Sequence, residues 1–540
     1  MSAKIVIDPV TRIEGHLRIE LEAEGNSVKT AKNTATLYRG FENIVQGRDP
    51  RDCAPILSAI CGVCHTDHHL NSVRAVENAS GALQYINGYA DDKTDLPLNA
   101  ALNRNIIQAA NTLYSHAAHI LVLAGPDFRL YGLLEALSKS LVVNSYADLL
   151  KLVILPAQQF MHQTITLLGG KAPHQRGAIP GGTPVRPDIS VIARTLERFR
   201  ELRKITDIAA PVIWNFVTSR ALVLAGLGAG TGNFLSLGMQ PDPTTSSGTS
   251  KMPYIFSRGV ILNSTPQKLG AVEPFDPRSI TENVDKSWYD QAGTQSVFDE
   301  APPKPDMSKS GAYSWAKSPL YNGQPCEVGP LSRVLAAGIY QKLGEVIHGI
   351  VPEVSGLPLN PMGSVFDRTV ARALELVALT GSDNTTKNLE VLGKPLNLSL
   401  VDVLTALGLK TDKYNGLAEK WILSLDPGKP AYTRIDVPSV GEGIGLWEAP
   451  RGALFHWIRI KGGKTDNYQV IAPTTWNVHP DGPLEKALVG TPIDKDVKDP
   501  ALGSMYLRKV AWVVRSFDLC LACTVHTIDA CGNEAVLEFP

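Results

Sequence analysis

Two pairs of cysteines, each with two residues between its members, are the residues of this chain best suited to chemistry. Cys61 and Cys64 form the first pair, and Cys520 and Cys523 form the second. This spacing lets both sulfurs of a pair face one metal or metal pair, and four sulfurs select zinc, iron–sulfur, nickel or copper. On spacing alone, a structural zinc site and a dithiol redox pair both remain open.

The separation of the two pairs favours a site assembled across the whole fold. Zinc ribbons place their pairs about 15–20 residues apart, whereas more than four hundred residues separate Cys64 from Cys520. A site that draws on both ends of a chain is expected at its centre, which suits catalysis better than local stabilisation. The other cysteines, Cys53, Cys326 and Cys531, are too scattered for a disulfide scaffold or an iron–sulfur cluster.

The composition excludes several classes of function. The 540 residues are 44% hydrophobic, with 52 basic and 53 acidic side chains and a net charge of −1, so no nucleic-acid partner is expected. The N-terminus lacks the features of a signal peptide, and no apolar run reaches the roughly 18 residues of a membrane span. Export or membrane attachment is therefore expected only through partners.

The hydrophobic pattern predicts an α+β fold that is predominantly α, a multi-helix core with peripheral β-hairpins. No βαβ alternation appears, so no dinucleotide-binding domain is expected. The predicted strands are Lys4–Ile7, His16–Ala23, Val28–Tyr38 and Tyr254–Leu262. The predicted helices are one from Asn71 onward, Asn99–Ala124, Tyr146–Leu168, Asp188–Ile208, Leu331–Ile350, Arg368–Thr380 and Asp499–Val514.

The residues around both cysteine pairs resemble the metal motifs of nickel–iron hydrogenase large subunits: Ile60–His68 followed by Ser72–Glu77 for the first pair, and Arg515–His526 for the second. Six further segments also resemble the family, in its order: Asp8–His16, Tyr38–Glu42, Tyr313–Trp315, Glu327–Leu331, Glu448–Leu454 and Thr474–Asn477. The resemblance therefore runs from residue 8 to residue 526 and is highly specific. It implies the large-subunit fold and an oxidoreductase that cleaves dihydrogen reversibly into protons and electrons.

The resemblance also implies a nickel–iron centre whose iron carries carbonyl and cyanide ligands. By position, all four cysteines bind nickel; Cys64 and Cys523 also bridge to iron, while Cys61 and Cys520 are terminal. A terminal thiolate such as Cys520 can accept the first proton, because metal coordination keeps it deprotonated with lone pairs available.

Four further residues match positions that surround this centre in the family. Glu14 matches the proton-relay carboxylate, although without the motif a salt bridge to Arg12 or another arginine would be favoured. Arg451 matches a guanidinium that donates to a cyanide nitrogen, and Thr474 matches a hydroxyl at the other cyanide. Pro450 and Pro473 match an apolar wall that keeps water away. For Thr474 and the prolines alone, a loop role would be the simpler interpretation.

A second metal site and a histidine follow from the same resemblance. Glu42, His526 and a backbone carbonyl near Val478 match the ligands of a magnesium site, in which a hard cation favours oxygen donors. His68 matches the histidine after the first cysteine pair. Orienting a thiolate, carrying protons and simple core packing are all open for His68.

Three positions depart from the family's usual pattern. Leu519 stands where proline is common, Ala59 where arginine is common, and Ser115 where an aspartate often pairs with the active-site arginine. Asp518 can still pair with Arg451, whereas Ser115 offers that arginine no second carboxylate. None of these positions is a predicted metal ligand.

Residues 1–526 are expected to form one catalytic domain, and residues 527–540 an extension that a maturation protease removes after His526. Nickel-insertion proteins and an iron–sulfur small subunit are the other expected partners. The small subunit would carry the pair to a periplasmic or membrane-associated location, with the cytoplasm as the alternative. Three other interpretations compete with this one. The first is a hydrogen-sensing subunit, and the second is a structural relative such as the quinone-proximal subunit of respiratory complex I, which has lost the thiolates. The third is a scaffold protein stabilised by zinc.

Overall fold

The computed structural model describes residues 2–86, 91–127, 137, 143–244, 251–298, 304–350, 360–383, 385–409, 416–493 and 507–524. Its α-helices are α1 (Phe41–Ile44), α2 (Pro50–Leu57), α3 (His65–Ala79), α4 (Leu98–Ala118), α5 (Tyr146–Leu149), α6 (Leu155–Gly169), α7 (Ile189–Thr218), α8 (Ala221–Ala225), α9 (Pro330–Ala336), α10 (Ile339–Ile350), α11 (Val365–Thr380), α12 (Leu400–Ala406), α13 (Leu417–Leu423), α14 (Pro473–Val478), α15 (Pro483–Leu488), α16 (Arg508–Ser516) and α17 (Leu521–Thr524). Short 3-10 helices span Ser58–Ile60 and Pro277–Ser279, and π-helical turns span His119–Leu123 and Leu150–Ile154.

The strands form several small antiparallel sheets. They are β1 (Ser2–Ile7), β2 (Leu17–Glu24), β3 (Ser27–Ala35), β4 (Leu83–Ile86), β5 (Asp91–Thr94), β6 (Phe234–Pro241), β7 (Lys251–Ile261), β8 (Val272–Glu273), β9 (Ile280–Asn283), β10 (Thr294–Ser296), β11 (Ser318–Tyr321), β12 (Glu390–Val391), β13 (Lys394–Pro395), β14 (Val440–Ala449), β15 (Gly452–Lys461) and β16 (Lys464–Ile471). The pairing orders are β1-β2-β3, β4-β5-β7-β6 with β8 on β7, β10-β9-β11, β12-β13 and β14-β15-β16.

The long helices form the core, as the hydrophobic pattern predicts. Helix α4 contacts α6 and α11, and α7 packs against α6 and α11. Side chains cap two of these helices: Asp188 accepts from Val191 N at the start of α7, and Ser364 accepts from Asp367 N at the start of α11. No helix within the described ranges has the length and apolar character needed to cross a membrane.

The predicted elements exist, but several bounds differ. The helix predicted over Leu331–Ile350 is wrong at its middle, because α9 ends at Ala336 and Gly338 takes a positive φ of 68° before α10 begins. The α-helical parts of Asn99–Ala124 and Tyr146–Leu168 are interrupted by π-helical turns. Residues 499–506 of the last predicted helix lie outside the described residues.

A buried three-stranded meander, β14-β15-β16, carries part of the site and was not predicted. Glycines at alternate positions of β14 face α3, and a Cβ at Gly443 or Gly445 would lie 2.0 Å from Ala75 O or 2.4 Å from Asn71 O, respectively. Only glycine permits this approach of strand and helix. The turn after β14 and the start of α14 after β16 then lie at one end of the sheet.

Candidate metal centre and active site

The first cysteine pair lies in the turn between a 3-10 helix and α3. Cys61 follows the 3-10 helix, and Cys64 is the N-cap residue of α3. The Cys61 sulfur accepts the backbone N–H groups of Val63 and Cys64 at 3.2 and 3.3 Å. Amide donors at a helix start favour the thiolate, which is the form that binds metals.

Cys520 lies against this pair although it comes from the other end of the chain. Its sulfur is 3.1 Å from the Cys61 sulfur, and both are free cysteines, because a disulfide would require about 2.05 Å. The sulfurs of Cys61, Cys64 and Cys520 all lie within 4.8 Å of one another and are buried. Three converging soft donors fit nickel.

Cys523, the fourth predicted ligand, follows in α17 on the same short segment as Cys520. Its side chain is not among those described, and His526 also lies outside the described residues. The structure therefore brings together three of the four predicted sulfur ligands.

Glu14 reaches the second cysteine pair through its backbone as well as its side chain. Its N–H donates to Leu519 O at 3.3 Å, and its carbonyl accepts from Leu521 N at 2.7 Å. Its Oε2 accepts from the Cys520 sulfur at 3.1 Å and from Ala522 N at 3.0 Å. The proton-relay candidate therefore makes direct contact with a candidate nickel ligand.

The simpler interpretation of Glu14, a salt bridge to Arg12, is wrong. Arg12 instead donates to Asp127 and to Leu123 O. Burial raises the pKa of Glu14 above its ordinary value, and the negative charge of Cys61 adds to this rise. The hydrogen bonds from Cys520 and from the Ala522 N–H, and then the charge of Arg451, oppose this rise in pKa only in part. A carboxyl with a raised pKa can exchange protons closer to neutral pH.

Arg451 occupies the turn between β14 and β15. Its Nε lies 3.3 Å from Asp518 Oδ1, and Asp518 Oδ2 lies 3.9 Å from Arg372 Nε. Burial lowers the pKa of Arg451, but the charges of Asp518, Cys520, Cys64 and Cys61 outweigh burial and raise it. Arg451 Nη1 is buried and has no hydrogen-bond partner among the described residues. This unused donor fits a ligand with an accepting end.

The pairing of Arg451 with two carboxylates does not occur within the described part of the chain. Ser115 is buried, and its Oγ has no hydrogen-bond partner among the described residues. Asp518 instead lies between two guanidinium groups, those of Arg451 and Arg372. One carboxylate therefore serves two arginines here.

Pro450, Pro473 and Thr474 lie at the same end of the meander. Both prolines are buried, Pro473 as the first residue of α14. The hydroxyl of Thr474 accepts the backbone N–H of Cys520 at 2.9 Å. Thr474 thus connects α14 directly to the second cysteine segment.

A fully buried arginine supports the turn that presents Arg451. Arg333 donates to the carbonyls of Ala449 and Pro450 at 2.9 and 3.0 Å. Glu375 and Glu448 neutralise it through contacts of 2.5–2.7 Å. Because charge-assisted hydrogen bonds are strong in a dry interior, they fix the backbone on the N-terminal side of Arg451.

Of the predicted magnesium ligands, Glu42 and Val478 lie within the described residues and His526 lies outside them. Glu42 accepts from Val470 N at 2.8 Å and lies 3.3 Å from Lys317 Nζ. The same ammonium group is 2.6 Å from Glu282 Oε2. Val478 is buried at the end of α14, and no contact joins it to Glu42 among those described. Glu42 therefore belongs to a buried cluster of two carboxylates and one lysine.

His68 is a buried histidine with defined partners. Its Nδ1 lies 3.3 Å from His456 Nε2, and His456 Nδ1 lies 2.9 Å from the Tyr468 hydroxyl. Tyr468 donates to Ser72 Oγ at 3.0 Å. This chain of contacts fixes the orientation of the His68 ring one helical turn beyond Cys64.

Three residues near the site were not assigned a role from the sequence. Asp67 accepts from Trp447 Nε1 and Asn111 Nδ2, and burial raises its pKa to about 7. Lys317 is buried in the Glu42 cluster, and Arg39 contacts both cysteine segments. Residue spacing gives no signal for these contacts, because each partner is far away in the sequence.

Comparisons with known proteins agree with this geometry. Residues 39–139, 131–398 and 424–526 match the family described as nickel-dependent hydrogenase, and residues 4–33 match a HoxL-like family. The chain is 32% identical to the periplasmic [NiFeSe] hydrogenase large subunit of Desulfomicrobium baculatum, covering 99% of this chain and 97% of that protein. It is 31% identical to the hydrogenase-2 large chain of Escherichia coli (strain K12), covering 99% of each.

Solved structures give the same result. The reduced, active Ni-Fe-Se hydrogenase from Desulfomicrobium baculatum superposes with a TM-score of 0.75 at 30% identity, covering 97% of this chain and 100% of that chain. The chain therefore belongs to the nickel-dependent hydrogenase family, and its α+β fold is that of the large subunit. It is a catalytic large subunit, an oxidoreductase with nickel and iron in its active site and a small subunit as partner.

Proposed function

We propose that this chain cleaves dihydrogen reversibly into two protons and two electrons at a centre held by Cys61, Cys64, Cys520 and Cys523. The observation that carries this proposal is the position of the Cys520 sulfur, 3.1 Å from both the Cys61 sulfur and Glu14 Oε2. The Cys520 sulfur thus lies next to another candidate metal ligand, Cys61, and next to a candidate proton acceptor, Glu14. When bound, the nickel–iron centre polarises dihydrogen for heterolysis and takes up its electrons.

The protein's own contribution begins with the proton. The Cys520 sulfur accepts it and passes it to Glu14 Oε2 along their direct contact. The raised pKa of Glu14 keeps this carboxyl close enough in acidity to exchange the proton in either direction. Electrons leave to the small subunit, for which iron–sulfur clusters are proposed.

The remaining site residues hold the diatomic ligands proposed for iron. Arg451 Nη1, the unused buried donor, is suited to one cyanide nitrogen, and the Thr474 hydroxyl hydrogen is suited to the other. Pro450 and Pro473 offer no N–H groups and line the site with apolar atoms, which helps to exclude water.

Metal analysis combined with infrared spectroscopy on the purified native complex tests the centre. We expect nickel and iron together, with absorption bands of metal-bound carbonyl and cyanide. Zinc alone, without such bands in fully matured protein, would overturn the proposal. Hydrogen-uptake assays on the same complex then test its turnover and distinguish an enzyme from a hydrogen sensor.

A magnesium ion near Glu42, His526 and the carbonyl of Val478 is a second proposal. Its support is the charge of the Glu42 cluster, in which two carboxylates face the single ammonium of Lys317. Glu282 Oε1 is buried and has no hydrogen-bond partner among the described residues. The excess negative charge and this acceptor suit a hard cation. Magnesium analysis of the native complex with and without Glu42→Gln tests the assignment.

Maturation and location complete the proposal. Residues 1–526 form the mature catalytic domain, and a protease removes residues 527–540 after nickel-insertion proteins have loaded the site. The partner's own targeting signal brings the pair to the periplasm or to the membrane, in keeping with the periplasmic relative named above. The cytoplasmic alternative predicts activity in the soluble cytoplasmic fraction.

A further inference from the structure

Arg39 joins the two cysteine segments that come from opposite ends of the chain. It lies between β3 and α1 and is half-buried. Its Nη2 donates to the carbonyls of Ile60 and Ala522, and its Nη1 donates to Ala59 O at 3.4 Å. Ile60 immediately precedes Cys61, and Ala522 immediately precedes Cys523. One guanidinium group therefore contacts the residue before one cysteine of each pair.

The Ala522 peptide is held from both of its polar sides. Its N–H donates to Glu14 Oε2 at 3.0 Å, and its carbonyl accepts from Arg39 Nη2. An anion and a cation from the N-terminal part of the chain thus fix the short segment between Cys520 and Cys523. Charge-assisted hydrogen bonds of this kind are about twice as strong as neutral ones.

We infer that Arg39 is a positioning residue that sets the spacing of the two cysteine pairs and thereby the retention of nickel. This inference rests on the proposed assignment of the four cysteines as ligands. Arg39 acts through backbone carbonyls: it limits how far one cysteine segment can move from the other before metal binds. Preorganised donors lose less entropy on binding, so loosening them weakens the site.

The geometry of the contact makes lysine a poor substitute for arginine. A planar guanidinium presents several fixed N–H donors, and Arg39 uses two nitrogens for three carbonyls. A lysine ammonium keeps the charge but places its donors around one atom on a flexible stem. The inference therefore predicts that charge alone does not preserve nickel retention.

The test compares nickel retention in purified native complexes of wild type, Arg39→Lys and Arg39→Gln. Arg48→Gln is the matched control, because Arg48 is exposed and its side chain donates to Ile44 O at the end of helix α1. Nickel per chain and its rate of loss to a chelator are measured, with thermal unfolding as the check on folding. We expect both Arg39 variants to lose nickel about 10–100-fold faster, as removal of a supporting partner typically does, and the control to match wild type.

Rescue separates positioning from a general folding defect. Added methylguanidinium should slow nickel loss from Arg39→Ala and leave Arg48→Ala unchanged, because only the first variant has a space that the cation can fill near the two cysteine segments. Wild-type nickel retention in folded Arg39→Lys and Arg39→Gln would overturn the inference. If the glutamine variant does not fold, the lysine variant alone decides in the same way.

The cysteine variants distinguish failure of this inference from failure of the proposed function. Cys61→Ser and Cys520→Ser should yield complexes without stably bound nickel. If both retain nickel as wild type does, the ligand assignment itself fails. If they lose nickel while the Arg39 variants keep it, only the role of Arg39 fails.

Discussion

Because proton transfer depends on the contact between Cys520 and Glu14, we expect single substitutions there to affect this step strongly. A thiol and a carboxyl are 3.1 Å apart in a buried site, so a proton can pass directly between them. The amide of Glu14→Gln keeps an oxygen for Ala522 N–H but cannot take up the proton. Hydrogen oxidation should therefore fall by about 10²–10⁴, while nickel content stays near wild type. Hydrogen-uptake assays check this, with Glu22→Gln as control, because Glu22 is an exposed residue of β2. Near-normal activity of Glu14→Gln would contradict the relay.

The same carboxyl should determine the acidic side of the pH profile. Oxidation of dihydrogen requires Glu14 to be deprotonated so that it can accept, and burial raises its pKa above the ordinary 4.5. As the pH falls through this raised pKa, the accepting form is lost and the rate declines. The decline should therefore be centred above 4.5 and should disappear from the residual activity of Glu14→Gln. An unchanged acidic limb in that variant would assign the limb to another group.

We expect the activity to depend more on the separate N–H donors of the Arg451 guanidinium than on its positive charge. Lysine in its place can keep the ion pair with Asp518 but cannot present a separate Nη1 to a second acceptor. Arg451→Lys should lower turnover by roughly 10²–10³, the usual effect of losing one preorganised donor. The variant should also shift the infrared bands of the cyanide ligands. Wild-type bands together with wild-type turnover would show that the fork is not used.

At the scale of elements, a backbone bridge brings the Glu14 segment to the second cysteine pair. Gly15 has a φ of 79°, and a Cβ there would lie 2.9 Å from Ala522 N and from the Leu521 Cβ. Gly25 also has a positive φ, 63°, but a Cβ there would meet nothing within 4 Å. Both alanine variants carry the cost of left-handed backbone, about 1–2 kcal/mol.

Gly15→Ala should therefore destabilise the chain by about 1–3 kcal/mol more than Gly25→Ala, because only Gly15 adds a clash. It should also lower nickel content, since the clash pushes the Cys520 segment away from Cys61. Denaturant unfolding and metal analysis measure the two effects. Equal stability and equal nickel content of the two variants would show that the bridge is not tightly packed.

The meander β14-β15-β16 is a part of the fold that could not be predicted from the hydrophobic pattern. Its strand β14 alternates glycine with larger residues, a period-two signal that reads as a loop when glycine is taken only as a breaker. The alternation instead marks a strand face in contact with α3. The long helices were predicted because a 3.6-residue apolar period is specific over many turns. Their ends were less predictable, as Gly338 between α9 and α10 illustrates.

The residues of the site also differ in how far the sequence alone could predict them. The cysteine pairs could be found because the spacing within each pair carries information about metal chemistry. Glu14 could be found only through the resemblance of Asp8–His16 to the family. The partner of Arg12 could not, because Asp127 lies more than a hundred residues away and gives no local signal. Arg39 and Lys317 likewise bind groups that only the folded chain brings near.

At the scale of the whole molecule, the described segments around Glu14 and Cys520, which lie far apart in the sequence, are held together at the site. Asp127 pairs with both Arg12 and Arg515, and Arg515 also donates to Thr11 O at 3.0 and 3.1 Å. The segment before Glu14 and the helix before Cys520 are therefore fixed to the same carboxylate. A substitution that breaks the contacts of Arg12 or Arg515 with Asp127 should therefore alter the position of the candidate metal ligands.

We expect the C-terminal extension to delay final assembly of the site until the metal has been inserted, because it follows the segment that carries Cys520 and Cys523. The last described segment is α17, and an extension that begins at residue 527 follows the second cysteine pair closely in the sequence. The extension carries three carboxylate side chains, those of Asp529, Glu534 and Glu538, whereas the site is expected to work best without water. Its removal after metal loading is therefore expected to complete assembly. The mature chain in active enzyme should thus end at His526, which intact-mass spectrometry would detect as the loss of residues 527–540. A chain stopped at His526 should fold yet contain less nickel when made in cells, because closure would precede loading. Active enzyme that retains Pro540, or a truncated chain with full nickel content, would count against this order of events.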